Sequence, residues 1–264
     1  MGKIIINADD YGISHRVNEA VKRGMLKGII DRATIMVNMP FVDEALTLAK
    51  ENNYFSKIGL HLNLVEGKPL TEGIKNTWLC DNGLFNGKIS KNKYKTSLIT
   101  DRTVLKCIEE EIDAQMKKFI AMGLPLHHLD SHQHSHIKPS IFPIIYKLAK
   151  TNHFYSIRLA SLISSDNPKL GTKVYKEIIN ARIKRYNKEN KSYIRYPLMD
   201  AGCAYLSLKN QNQQDKGKYI RNHNIEMWFH PAMAGEEIIN LFCNEPFDIQ
   251  DLINFKSISA EIEK

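Results

Sequence analysis

The chain has 264 residues, 43% of them hydrophobic, and a formal net charge of +8 at pH 7. That length suits one large core or two small ones, and a single α/β barrel commonly runs to about 250 residues. No apolar run approaches the roughly 20 residues of a membrane span, and "MGKIIINADD" reaches two aspartates before any signal-like apolar region, so a soluble cytoplasmic protein with no membrane partner is expected. In chain order, strand and helix patterns alternate. Lys3 to Asn7 reads as a buried strand, and His15 to Lys27 as a helix with Val17, Ala20, Val21, Gly24 and Met25 on one face. "ATIMVNM" (33–39) is a second strand, Phe41 to Asn52 a helix, and "KIGLHLNLV" (57–65) a third strand.

A polar excursion over about 66–100 follows, longer than an ordinary connection. The clearest helix is "DRTVLKCIEEEIDAQMKKFIAMG" (101–123), with Val104, Ile108, Ile112, Met116, Phe119 and Ile120 as its stripe and Gly123 at its end. "LHHLDS" is a fourth strand, Ile141 to Thr151 a helix, and "YSIRLA" (155–160) a fifth strand. A basic helix-like stretch runs over about 172–190, "NQNQQDKGK" (210–218) reads as a loop or helix entry, and "IEMWFHP" (225–231) is a late strand stopped by Pro231. Continuous alternation without a linker or repeat predicts one domain over 1–264, an α/β fold with a parallel sheet, either a closed barrel or an open doubly wound sheet. The absence of G-x-G-x-x-G and of a P-loop disfavours a nucleotide-binding open sheet.

Cys80, Cys107, Cys203 and Cys243 are far apart, with no C-x-x-C, which argues against a zinc ribbon, redox pair or disulfide framework and reads as ordinary reduced thiols. The basic stretches at 86–95 and 181–195 carry no nucleic-acid-binding signature and read as solvated faces.

Polar residues gather at the predicted strand ends. Asp9 and Asp10 follow the first strand, His61 falls in or after the third, and His132, His134 and His136 follow the fourth. Arg158 is late in the fifth, and His230 closes the last. In a parallel α/β fold all strand C-termini share one face, so these residues should converge. Singly, His61 and His230 read as core histidines; together with two aspartates they point to a metal site. Aspartate with two histidines suits a divalent cation with open positions for water and substrate. Of the adjacent aspartates, one binds the metal while the other faces the water as general base, because successive strand residues point apart. His132 and His136, four apart, would share a helix face, leaving His134 the weakest ligand candidate.

The stretches "NADDYGIS" (7–14), "GLHLNL" (59–64), "GKPLT" (67–71), "HLDSHQHSH" (128–136) and "IFPII" (141–145) resemble the YdjC-like carbohydrate deacetylase family, which includes chitooligosaccharide deacetylases; "MWFHP" (227–231) matches more weakly. The resemblance covers the first 150 residues well and the rest thinly. It implies an irregular TIM-like (β/α) barrel related to polysaccharide deacetylases. It also implies a divalent metal, usually magnesium, with zinc or another transition metal as the alternative, and hydrolysis of an N-acetyl group from an amino sugar. Carried over by motif, Asp10, His61 and His132 are the metal ligands, Asp9 is the general base, and His230 protonates the leaving amine. The family pattern at that last position often reads His-Pro-Gly, whereas this chain has His230-Pro231-Ala232. The implied partner is a small carbohydrate, and the family likeness suggests a homodimer. Trp78, Phe85 and Tyr94 in the long excursion are candidates for stacking on a sugar ring or for packing. A metal-dependent sugar phosphoesterase or isomerase, or a non-catalytic metal- or sugar-binding protein, would use a similar residue set.

Overall fold

The computed structural model describes residues 3–91, 99–161, 170–194, 196–241 and 254–255. β1 (Ile4–Tyr11) leads to α1 (His15–Leu26), β2 (Arg32–Ile35), α2 (Val42–Glu51) and β3 (Ile58–Leu62). The excursion after β3 holds α3 (Glu72–Lys75), the hairpin of β4 (Cys80–Asp81) and β5 (Leu84–Phe85), and α4 (Lys88–Lys91). α5 (Arg102–Ala121), β6 (His128–Ser131), α6 (Phe142–Thr151) and β7 (Ser156–Ile157) follow. Then come α7 (Leu170–Glu189), β8 (Ala201–Ala204), α8 (Tyr205–Lys209), α9 (Gln213–Asn222), β9 (Ile225–Phe229) and the hairpin of β10 (Pro231–Ala234) and β11 (Glu237–Asn240).

Seven strands hydrogen-bond in the order β7-β6-β3-β2-β1-β9-β8. The β1–β9, β8–β9 and β3–β6 ladders are parallel. Parallel strands joined by helical crossovers are covered on both faces, and β1, β2, β3, β6 and β9 are buried throughout. Among the described residues, no helix is long and apolar enough to cross a membrane.

The chain forms two compact units, one of Met1–Asp9, Arg16–Ala33 and Tyr155–Lys264, the other of Asp10–His15 and Thr34–Phe154. In the first, α1 buries Val17, Ala20, Val21, Gly24 and Met25, the spacing of one helical face. α7 docks through two amides. Asn180 accepts from Ala160 N at 2.7 Å and donates to Ala160 O at 2.9 Å; Asn187 accepts from Ile157 N and donates to Ile157 O, both at 2.9 Å. These four bonds bracket Arg158.

In the second unit α5 starts at Asp101, whose side chain accepts from Thr103 N and Val104 N and so satisfies two of the unpaired first-turn donors. Its buried stripe is Val104, Ile108, Ile112, Met116 and Phe119, but Ile120 is 38% exposed. Glu111 and Gln115 are buried on the same helix. Glu111 accepts from Leu70 N, Thr71 N, Thr71 Oγ1 and Gln115 Nε2, and Gln115 bonds both N and O of Asn63. A buried carboxylate with four donors is well satisfied, and it pins the 63–71 segment in place.

Several boundaries differ from the sequence expectation. β1 runs to Tyr11, so Asp9 and Asp10 lie inside it rather than beyond it. The fifth strand shrinks to Ser156–Ile157, because past it Ala160 satisfies its backbone through Asn180 instead of a neighbouring strand. β8 and α8 were not expected from the sequence, and α9 covers much of the stretch read as a loop or helix entry. Phe85 is buried and Trp78 is 38% exposed. Tyr94 and Cys243 lie outside the described residues.

Candidate active site

Within the second unit, Asp10, His61 and His132 meet although they come from β1, β3 and the turn after β6. One ligand atom from each lies within 4.8 Å of the others. Asp10 Oδ1 is 2.7 Å from His132 Nδ1 and 3.1 Å from His61 Nε2. All three side chains are buried. A hard carboxylate oxygen with two imidazole nitrogens, grouped this tightly, fits a divalent cation that keeps open positions. The backbone is bent to produce the cluster. Asp10 has φ 62°, in the left-handed region that non-glycine residues seldom occupy, and Gly12 two residues on has φ 91°. Strain of this kind concentrates at functional positions.

Each histidine has a carboxylate at its other ring nitrogen. His61 Nδ1 bonds Asp130 Oδ1 at 2.6 Å. His132 Nε2 lies 2.8 Å from Oε1 of Glu66, which is 45% exposed. Asn63 fixes the loop that carries Glu66: its Oδ1 accepts from Val65 N and Glu66 N, and its Nδ2 donates to Glu66 O. Neither Asp130 nor Glu66 was a candidate from the sequence.

The helical premise for His132 and His136 fails. Gln133 and His134 have φ 49° and 56°, so the turn after β6 is not a regular helix and four-residue spacing does not place the two histidines on one face. His136 is buried with Nδ1 on Ser131 Oγ at 2.7 Å, and His134 is exposed. Neither joins Asp10.

In the first unit, Asp9 is buried and held by Arg158. Arg158 Nη1 donates to Asp9 Oδ2 and Nη2 to Oδ1, both at 2.8 Å, and Asn7 Nδ2 donates to Oδ1 at 2.7 Å. Arg158 Nε continues to Glu226 Oε1 at 2.6 Å, and Glu226 Oε2 meets Arg32 Nη2 at 2.6 Å. Arg32 Nε returns to Asn7 Oδ1 at 3.0 Å, which closes a ring of five side chains. The Arg158 guanidinium also lies 4.9 Å from the Trp228 ring centre. His230, between β9 and β10, is 18% exposed, with Nε2 3.7 Å from Asp9 Oδ2. Its carbonyl accepts from Leu241 N, so the β10–β11 hairpin anchors its backbone. Its sequence position puts Arg158 late in the fifth predicted strand; its grip on Asp9 and the roles of Glu226, Arg32 and Asn7 come from the structure.

Burial lowers the basicity of the His132 ring, but Asp10 and Glu66 outweigh burial and hold it raised to about 9. An imidazole raised above its unfolded value of about 6.5 stabilises the fold fully below that value. The contribution is lost as pH rises through about 9. Cation-free protein should therefore melt progressively earlier between pH 7 and 10, with a steeper decline than His132→Gln. Thermal unfolding in chelator checks this, and parallel declines in the two proteins would remove His132 as the cause.

The family model described as YdjC-like protein matches residues 3–260. A carbohydrate deacetylase of Vibrio cholerae serotype O1 (strain ATCC 39541 / Classical Ogawa 395 / O395) is 38% identical over 151 residues, 57% of this chain and 56% of its own length. Carbohydrate deacetylases of Brevibacillus brevis and Clostridium beijerinckii are 38% identical over 148 residues and 34% over 151, covering 56% and 57% of this chain and 56% and 58% of their own lengths. The chain thus spans little more than half the length of the curated relatives it matches. A solved structure from Enterococcus faecalis V583, described as a cellobiose-phosphate cleavage protein, superposes with TM-score 0.63 over 99% of this chain and 92% of its own, at 21% identity. That likeness carries the fold alone, and the fold is the α/β, irregular TIM-like (β/α) barrel.

Proposed function

The chain belongs to the YdjC-like protein family, and from that membership we propose that it is a metal-dependent hydrolase that removes the N-acetyl group from an N-acetylated amino sugar or short chitooligosaccharide and releases acetate. The observation that carries this reading is the cluster of Asp10, His61 and His132 brought together from three separate segments. These three residues would hold the cation, with magnesium the first ion to test and zinc the next. When bound, such an ion lowers the pKa of water and stabilises an oxygen that gains negative charge.

Asp9 takes the proton of the attacking water. Its carboxylate is oriented by the two-point contact with Arg158 and the amide of Asn7, so it reaches the reaction without a search over rotamers. His230 donates a proton to the departing sugar amine, so the carbon–nitrogen bond breaks with a neutral leaving group. Its position 3.7 Å from Asp9 Oδ2 and its partial exposure suit a group that meets substrate. On this reading the enzyme works in the cytoplasm as a homodimer.

The test is acetate release from acetylated mono- and disaccharides of glucosamine, with and without 6-phosphate, after loading with magnesium or zinc. Acetate from at least one of them, abolished by chelator, is the expected outcome. Phosphate release or sugar isomerisation without acetate would replace this reading with a phosphoesterase or an isomerase. Metal or sugar binding without turnover would make the protein a binding module.

A further inference from the structure

Asp130 has no part in the chemistry above, yet it is one of the most enclosed charged groups in its unit. The parallel β3–β6 ladder sets it directly opposite His61. His61 Nδ1 and Asp130 Oδ1 are 2.6 Å apart, while Asp130 Oδ2 accepts from Thr34 Oγ1 at 2.9 Å. The same hydroxyl lies 3.3 Å from His61 Nδ1. None of the three residues is more than 1% exposed. A carboxylate offers acceptors only, so the hydrogen of the His61–Asp130 bond belongs to Nδ1. In the neutral ring that leaves the lone pair on Nε2, the nitrogen 3.1 Å from Asp10 Oδ1.

We propose that Asp130, steadied by Thr34, is a positioning residue for the cation: it fixes the tautomer and ring plane of His61 so that Nε2 faces Asp10. The inference rests on the metal site proposed above. Two strands and a hydroxyl enforce the arrangement, so the histidine is ready before the cation arrives. Groups that orient a metal-binding histidine from behind typically account for about 10- to 100-fold in metal affinity.

The experiment titrates zinc alone into chelator-treated wild type, Asp130→Asn, Thr34→Val and His61→Ala, each checked for folding by circular dichroism. Asp130→Asn should bind zinc about 10- to 100-fold more weakly, and Thr34→Val should shift in the same direction by less. Long-range 1H–15N spectra of the zinc-loaded proteins supply a readout that a merely structural role would not move. His61 should appear as a single Nδ1–H form in wild type and lose that signature in Asp130→Asn. If Asp130→Asn does not fold, the affinity and the His61 signature of Thr34→Val decide. Wild-type affinity and an unchanged His61 signature in whichever variants fold, while His61→Ala loses zinc, would overturn the role of Asp130. Wild-type affinity in His61→Ala would instead overturn the metal site itself.

Discussion

His61→Ala and His132→Ala should each lose the bound cation and all measurable acetate release while keeping the fold, and Asp10→Asn should lose affinity in a way that excess metal partly restores. The difference follows from what each change removes. Alanine takes away a nitrogen ligand outright. Asparagine keeps an oxygen 2.7 Å from His132 Nδ1 and 3.1 Å from His61 Nε2 but takes away its charge. Asparagine also suits the backbone, since Asp10 sits at φ 62° and Asn is among the residues that tolerate the left-handed region best. Asp10→Ala would mix ligand loss with backbone strain and is the poorer experiment. Metal content by elemental analysis, set against acetate release over a metal titration, checks all three variants. Full occupancy in His132→Ala would show that the cation lies elsewhere. His136 would not be the next ligand to try, because among the described residues it does not group with Asp10 and His61.

The alternation of strand and helix and the meeting of Asp10, His61 and His132 were legible because both depend on hydrophobic pattern and chain order. What was not legible depends on register and on polar contacts at long range. Asp130 sits in "LDSHQHSH" as one more acid; only the β3–β6 ladder puts it opposite His61, 69 residues away. Glu111 and Gln115 occupy the buried face of α5 among Ile108, Ile112 and Met116, and a search for apolar periodicity passes over them. β8 was missed because "AGCA" lacks β-branched residues. Its small side chains answer to packing: a Cβ on Gly202 would lie 2.8 Å from Leu159 O and 3.0 Å from the Trp228 ring. The turn after β6 defeats helical spacing through the left-handed backbone of Gln133 and His134, two residue types that give no turn signal.

Asp9→Asn should bind metal and substrate normally yet lose about 10²- to 10⁴-fold in kcat, the usual contribution of a general base, and added metal should not restore it. From sequence, this substitution looks neutral to the fold, because asparagine matches the shape of aspartate. The five-membered ring of Asp9, Arg158, Glu226, Arg32 and Asn7 says otherwise. It balances two cations against two anions, all buried. An amide at position 9 leaves one positive charge uncompensated and turns an N–H toward the Arg158 guanidinium. Removing one partner of a buried ion pair costs about 3–5 kcal/mol, so the variant should also unfold well below wild type. Chemistry and stability then have to be separated. Arg158→Met breaks the same pair from the other side and should destabilise by a similar amount, but it leaves the Asp9 carboxylate in place to accept a proton. Both variants should be assayed well below the onset of melting, with kcat measured across pH. Asp9→Asn should lose the acidic limb of the profile together with most of kcat. Arg158→Met should keep an acidic limb, displaced upward because a cation no longer favours the ionised form of Asp9. Equal kcat losses and equally flat profiles in the two variants would mean that Asp9 serves the ring and not the water.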